Sequence, residues 1–281
     1  MTVRVVTDSS TDLPRSVIEA LGVTVVPFSV SFGAERLRDG VDIDHETFYR
    51  RLESSEVFPS TSQLTPAELS EAYSSVDPGS DIVSIHAAAE LSGTINSARQ
   101  AARASGADRR IEVVDGRSTS MALGHVVIRA ARLAASGAPL EAVVDEANRQ
   151  IARAAVWFTV DTLEFLARGG RIGRAKHLLG TMLRIKPLLT VRNGVVEPIA
   201  QLRTRAQAAD ALARLAEERR PLAALSVAYS TGEQAAETLA DRLAERGLLP
   251  RDEILMTRLG PAIGTHVGPG CLSVAVLKAG D

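Results

Sequence analysis

The chain has 281 residues, 45% of them apolar and 23% charged, and its 34 acidic against 32 basic side chains leave a formal net charge of −2. That length accommodates two ordinary lobes with a substantial core, the composition is that of a folded globular chain, and the near-balanced charge gives no overall field toward nucleic acid or an anionic membrane. The single Cys271 excludes an internal disulfide framework and a multi-cysteine metal site, fits a reducing compartment and reads as a small core residue.

The chain opens directly into "VRVVT" (3–7), a strand-like run with no charged leader and long apolar region before it, and no later apolar stretch is long enough to span a bilayer. A cytoplasmic location is the expectation. A turn and helix follow over 9–21 with Gly22 as the stop, and "VTVVPFSV" (23–30) reads as the next strand. In "TPAELSEAYSSV", Thr65 as N-cap, Pro66 in the first helical position and Glu68 three residues after the cap form a capping box. Then come a buried-type strand over 81–86, a helix starting near Ser92, and a strand over 111–115. Two helices are expected over 121–135 and 140–154, divided by Gly137 and Pro139, and a lobe boundary fits near Ala154.

The second part begins with a strand over 155–160 and a helix that Gly169 and Gly170 end. Asn193 and Gly194 stand between two β-rich runs and predict a hairpin. A helix (205–219), strand (222–230), helix (233–246) and two more strands ("EILMT" and "CLSVAVLKA") complete the chain. The alternation gives an α/β fold: residues 1–154 as a lobe with a mostly parallel sheet and crossover helices, and 155–281 as a lobe with a mixed sheet and helices.

Phosphate loops, dinucleotide fingerprints, H-E-x-x-H and the G-x-S-x-G elbow are all absent from the sequence. His45, His86, His125, His177 and His266 are too dispersed for any local metal spacing, so no metal or cofactor is expected. Three polar clusters remain: "DSSTDLP" (8–14), "STSQLTP" (60–66) and "ELSGT" (90–94), each ahead of a predicted helix or just after a strand. In an open α/β sheet such positions hold anions, through hydroxyls and helix N-terminal amides. The plain alternative is helix capping, with Thr11 or Asp12 capping the helix that Pro14 enters. The basic run "ARGGRIGRAKHLL" carries Arg168, Arg171, Arg174 and Lys176, with Arg184 and Lys186 beyond. It reads as a solvated helix face or, at Arg171 after paired glycines, as a fork for a phosphate or carboxylate.

"DSSTDLP", "TSQLTP", "LSGTINSA", "RGGRIGRAKHLLGTMLRIKPLL" and "THVGPG", in that order and spanning nearly the whole chain, resemble the DegV family, whose members bind fatty acids. The resemblance implies two α/β lobes with a long-chain fatty acid between them. It implies that Thr61, Ser62 and Ser92 hold the carboxylate, with Gly93, Thr94 and His266 beside it. His266 is then a hydrogen-bond donor, turned inward by bends at Gly268 and Gly270. It also implies a carrier with no turnover of its own: in bacteria a separate ATP-binding fatty acid kinase phosphorylates the presented carboxyl group, and the acyl-phosphate feeds phospholipid synthesis. Arg171 is the candidate for contact with the transferred phosphate or the kinase surface. Such a carrier comes near membranes transiently without inserting. The chain departs from the family pattern in "HAAAE", where Ala87 and Ala88 replace part of a commonly serine-rich stretch, and at Ile95, where an aromatic residue is frequent.

Two other functions compete. A hydrolase or acyl-transfer enzyme would use Ser92 as nucleophile and His266 as its base, oriented by Asp8, but "LSGT" lacks the strained elbow. A DNA-binding regulator would need a helix-turn-helix and a basic face, and the sequence has neither signal.

Overall fold

A computed structural model of the chain describes residues 2–106, 109–180 and 185–280. The first lobe is built on a parallel four-stranded sheet in the order Thr24–Val26, Val3–Asp8, Asp81–His86, Ile111–Asp115. Its strands Val3–Asp8 and Asp81–His86 are buried along almost their whole length, as strands covered on both faces must be. The second lobe holds a mixed six-stranded sheet in the order Val195–Leu202, Lys186–Arg192, Ala154–Thr159, Leu272–Lys278, Leu222–Tyr229, Leu255–Arg258. All its neighbours run antiparallel except the last pair.

The helix Ser120–Ala135 lies between the two sheets and touches Val3–Asp8 on one side and Ala154–Thr159 and Leu272–Lys278 on the other. It is apolar around most of its circumference for that reason, and Val126, Val127 and Ala130 bury against Val5, Val83, Val156 and Ala275. The lobes therefore share one continuous core. Each Val or Leu so buried contributes about 1.5–3 kcal/mol relative to exposure.

Two segments differ from the sequence expectation in ways that shape the site. The run 23–30 is not one strand: it divides at Pro27 into Thr24–Val26, in the parallel sheet, and Ser29–Phe32, in a separate antiparallel sheet with Glu35–Arg38 and Ser60–Ser62. Pro27 has no N–H for a ladder, so the chain leaves the first sheet there. The helix His45–Ser54, capped by Asp44 through Thr47 N at 2.7 Å, covers the small sheet with Phe48 and Tyr49. The glycine-rich stretch near the C-terminus is the second difference. Gly264 to Val267 are the last turn of a helix, Pro261–Val267, and only from Gly268 (φ 71°) does the chain turn away.

Other sequence signals match the fold. Thr65, Pro66 and Glu68 form the expected reciprocal cap, and Asn193 (φ 48°) and Gly194 (φ 76°) supply the left-handed pair of the hairpin. The first helix, Arg15–Leu21, has no side-chain cap at all, its N-cap being Pro14. Asp12 is turned instead toward the second lobe, where it accepts from Gly260 N at 2.8 Å. Among the described residues no helix is long and apolar enough to cross a membrane, and no group of three or more His, Cys, Asp or Glu could hold a metal ion.

Candidate functional site

The small sheet, the "LSGT" turn and the helix Pro261–Val267 converge on a cavity with about 860 Å³ of empty space, its mouth included. Its wall is largely apolar, with Phe28, Leu91, Val156, Phe158, Leu166 and Val196 among the contributors. Polar side chains gather mainly in two places: Thr61, Gln63, Ser92, Arg171 and His266 in one group, and Ser10, Thr119 and Ser120 along the loop ends of the first lobe, with Ser273 on the second lobe's sheet turned to Ala228 O.

Thr61 is set by strand periodicity. In the three-residue strand Ser60–Ser62 it is half-buried while both neighbours are exposed, since successive side chains alternate. Its Oγ1 is hydrogen-bonded to His266 Nε2 at 2.8 Å. The imidazole lies over Gly169, where a Cβ would run into the ring, and its buried Nδ1 has no partner among the described residues. Burial, reinforced by the nearby Arg171 guanidinium, brings His266 down to about 4. The ring is therefore neutral at pH 7, able to give one N–H and unable to act as a cation.

Arg171 lines the same end of the cavity. Its Nε donates to Leu91 O at 3.1 Å and an Nη to Gly169 O at 2.7 Å, so main-chain carbonyls aim the fork while other N–H groups stay available. The rest of the basic run is mostly surface ion pairs: Arg168 with Glu164, Arg174 with Glu197, Lys186 with Asp161. Arg184 lies outside the described residues.

Ser92 faces the cavity from the turn before the helix Thr94–Ala104. Its Oγ is 2.9 Å from Thr94 Oγ1 and accepts from Thr94 N at 3.3 Å. Thr94 is wholly buried and accepts from Leu64 N at 3.3 Å, tying this turn to the "TSQL" segment. Gly93 lies against the Gln63 side chain, with no room for a Cβ between them. Of the residues named from sequence, Thr61, Ser92, His266 and Arg171 therefore line the cavity. Gly93 and Thr94 stand behind Ser92, and Ser62 points to solvent. Gln63 also lines it and was assigned no role from sequence, although it belongs to the same "TSQ".

No Asp8–His266–Ser92 triad exists. Asp8 Oδ2 is 3.0 Å from His86 Nδ1 and accepts from Ala87 N at 2.9 Å, while its other oxygen serves Ser10. Asp8 thus binds together the ends of two parallel strands. With Ser92 held by Thr94 and His266 by Thr61, the parts of a nucleophile–base–orienter array are each engaged elsewhere. Cys271, wholly buried, forms part of the apolar wall, and burial pushes its thiol up beyond the ordinary range.

The family model described as "uncharacterised protein, DegV family" matches residues 2–279. A DegV domain-containing protein of Streptomyces coelicolor is 37% identical over 98% of each chain, and one of Deinococcus radiodurans is 37% identical over the same shares. Among solved structures, a DegV family protein from Thermus thermophilus, described as binding fatty acid, superposes with a TM-score of 0.89 at 35% identity, covering 99% of this chain and 100% of its own. DegV of Bacillus subtilis, described as a fatty acid binding protein, gives 0.88 at 28% identity over 99% and 100%. A stearic acid-binding protein from Eubacterium ventriosum gives 0.88 at 25% identity over 98% of each.

Proposed function

Since the chain belongs to the DegV family, we propose that it binds a long-chain fatty acid in this cavity and presents the carboxyl group to a separate ATP-using fatty acid kinase. The observation that carries the reading is the shape of the cavity's polarity: a mostly apolar wall with Thr61, Ser92 and the neutral His266 gathered at one end. Each methylene withdrawn from water contributes about 0.8 kcal/mol, which favours the acyl chain in the apolar part. A carboxylate must be fully hydrogen-bonded when it leaves water. The hydroxyls of Thr61 and Ser92 would meet that need, the His266 N–H occupying a lone pair of Thr61 so that its O–H turns to the carboxylate, with the Arg171 guanidinium at the same end, and the turn at Gly93 and Thr94 keeps Ser92 in place. Ser62 would contribute only after a local rearrangement of its strand.

In this reading residues 1–154 form the lobe that carries most of the anchor and 155–281 the lobe that completes the wall. The chain is a cytoplasmic carrier and not a catalyst, meeting the membrane in passing, and the acyl-phosphate made on it enters phospholipid synthesis. Arg171, aimed by two carbonyls, would meet the transferred phosphate or the kinase surface.

Native mass spectrometry of the purified protein tests the binding: a co-purifying species in the fatty acid mass range, released on denaturation, is expected. An empty protein that forms no complex on incubation with fatty acid overturns the reading. Ser92→Ala should weaken binding by roughly tenfold, the worth of one hydrogen bond to a charged group, and unchanged affinity would put the carboxylate elsewhere. Arg171→Glu should retain the fatty acid and lose turnover by the kinase; full turnover would remove Arg171 from the transfer step.

A further inference from the structure

Two carboxylates that the fatty acid site does not use are buried beside it. Asp12 and Asp39 are 6% and 5% exposed, and among the described residues neither has an ion-pair partner. Asp12 accepts from Ser120 Oγ at 2.6 Å and from Gly260 N at 2.8 Å, and its main-chain oxygen accepts from Thr257 Oγ1 at 2.7 Å. Asp39 accepts from Ser9 Oγ at 2.8 Å and from Ala262 N at 3.2 Å, and Ser9 Oγ in turn accepts from Phe28 N at 3.0 Å. Both carboxylates converge on one point: a Cβ on Gly260 would lie 3.2 Å from either oxygen of Asp39 and 3.4 Å from Asp12 Oδ1.

The groups they hold are walls of the cavity. Ser120, Ala262 and Phe28 all line it, and Gly260 and Ala262 are the entry to the helix that ends with His266 and Val267. We propose that Asp12 and Asp39 are positioning residues, a carboxylate strut that fixes the start of helix Pro261–Val267 and thereby keeps His266 on Thr61 and the cavity wall closed behind the acyl chain. The proposal rests on the fatty acid reading of the cavity.

The strut responds to pH because its charges are uncompensated. Burial raises Asp12 to about 8, with Asp39 and Asp8 adding to it against the bonds from Ser120 and Gly260, and burial raises Asp39 to about 6, with Asp8 adding again. The other groups facing the pair are Tyr49 from the covering helix and, at Asp12, Cys271 from the second lobe, while Arg258 acts on Tyr49 and lines the cleft outside. Outside them, in a solvent cleft, stand Arg15, Asp44, His45 and Glu46. Near pH 7 the pair carries a single charge. Above pH 8 it carries two, and repulsion between them drives the strut apart.

Radiolabelled stearate released to phospholipid vesicles, followed from pH 6.5 to 9, tests the proposal with Asp12→Asn and Asp12→Ala. Asn keeps the acceptor for Gly260 N and cannot ionise, so its release rate should be flat where the native protein speeds up about tenfold, as expected for one pH unit beyond the midpoint. Ala leaves Gly260 N and Ser120 without their partner and should release about tenfold faster or more already at pH 7. Hydrogen exchange at the Gly260 and Ala262 amides, without stearate, is measured in parallel: native protection should fall below that of Asp12→Asn above pH 8. If native and Asp12→Asn superimpose in exchange, or Asp12→Ala protects both amides as the native chain does, the strut is overturned. A flat native release profile also overturns its effect on cargo. If stearate fails to bind while exchange behaves as expected, the fatty acid reading falls and the strut stands. If Asp12→Ala does not fold, Asp12→Asn decides alone.

Discussion

At His266 a ring nitrogen, a hydroxyl and two glycines define the site between them. Thr61 holds Nε2, Gly169 makes room for the ring, and Gly264, two residues before His266, lets the helix come down on the aromatic pair beneath it. A Cβ on Gly264 would lie 2.6 Å from Phe48 Cε1 and 2.6 Å from Tyr49 Oη, and Tyr49 is fixed by its own bond to Leu259 O at 3.0 Å. Neither ring can swing away cheaply. Gly264→Ala should therefore lift the helix and carry His266 off Thr61, costing about 1–3 kcal/mol as overpacking does. The expected result is a Tm lower by several degrees together with weaker fatty acid binding. Native Tm and affinity would show that the helix rides on something else. The motif "THVGPG" pointed to His266 through a family resemblance, but the reason for Gly264 was invisible there, because Phe48 and Tyr49 lie more than two hundred residues away in sequence.

The elements that could be read from sequence carry their own boundary chemistry. The capping box at Thr65, the αL stop at Gly22 and the Asn193–Gly194 turn each satisfy backbone groups locally, so a short window contains the cause. The strand Ser60–Ser62 and the helix Pro261–Val267 do not. Three and seven residues are too few to be stable alone, and they exist because the small sheet and the helix His45–Ser54 receive them. The site is built on these borrowed elements, and this is why Thr61 and His266 were found as motif residues and not as positions on a strand and a helix. The hairpin shows the same dependence from the other side. Gly194 N donates to Arg117 O at 2.8 Å, and a Cβ there would lie 2.8 Å from Ala88 Cβ and 2.9 Å from Glu90 Cβ. The turn of the second lobe is thus seated on the "HAAAE" loop that leads to Ser92. Gly194→Ala should combine a strained positive φ with that collision and cost about 1–3 kcal/mol, whereas Asn193→Gly, which relieves the small Cβ penalty at φ 48° and adds unfolded-chain entropy against it, should change stability by less than about 1 kcal/mol. Thermal unfolding of the two variants checks this, and equal losses would mean that the seating on Ala88 and Glu90 does not matter.

The two lobes are joined through buried titratable groups of opposite sense, and the whole molecule's stability should follow them. Asp12 and Asp39 are raised to about 8 and about 6 from 3.8, chiefly by burial, so the folded state holds their protons more tightly than the unfolded chain. Their contribution is complete below pH 3.8 and is lost as pH rises through the folded values. His125 and His266 are both lowered to about 4 from 6.5, chiefly by burial, and His45 is lowered in the same direction by burial and by Arg258. Their contribution is complete above pH 6.5 and is lost as pH falls toward 4. Between pH 4 and 6 the two sets oppose each other. From pH 6 to 6.5 Asp39 gives up much of its remaining proton while the histidines near the end of theirs, so the two sets come close to balance. From pH 6.5 to 8 only Asp12 remains of these groups, and the slope turns downward at one proton, a loss on the order of 2 kcal/mol across that span. Calorimetric Tm measured from pH 5 to 8.5 should therefore pass through a maximum near pH 6.5 and fall by several degrees toward pH 8. In Asp12→Asn the alkaline fall should disappear while the acid limb, which belongs to the histidines, stays. A Tm that keeps rising through pH 8 in the native protein would mean that Asp12 is ionised at neutral pH, and the single charge assigned to the carboxylate pair would then be wrong.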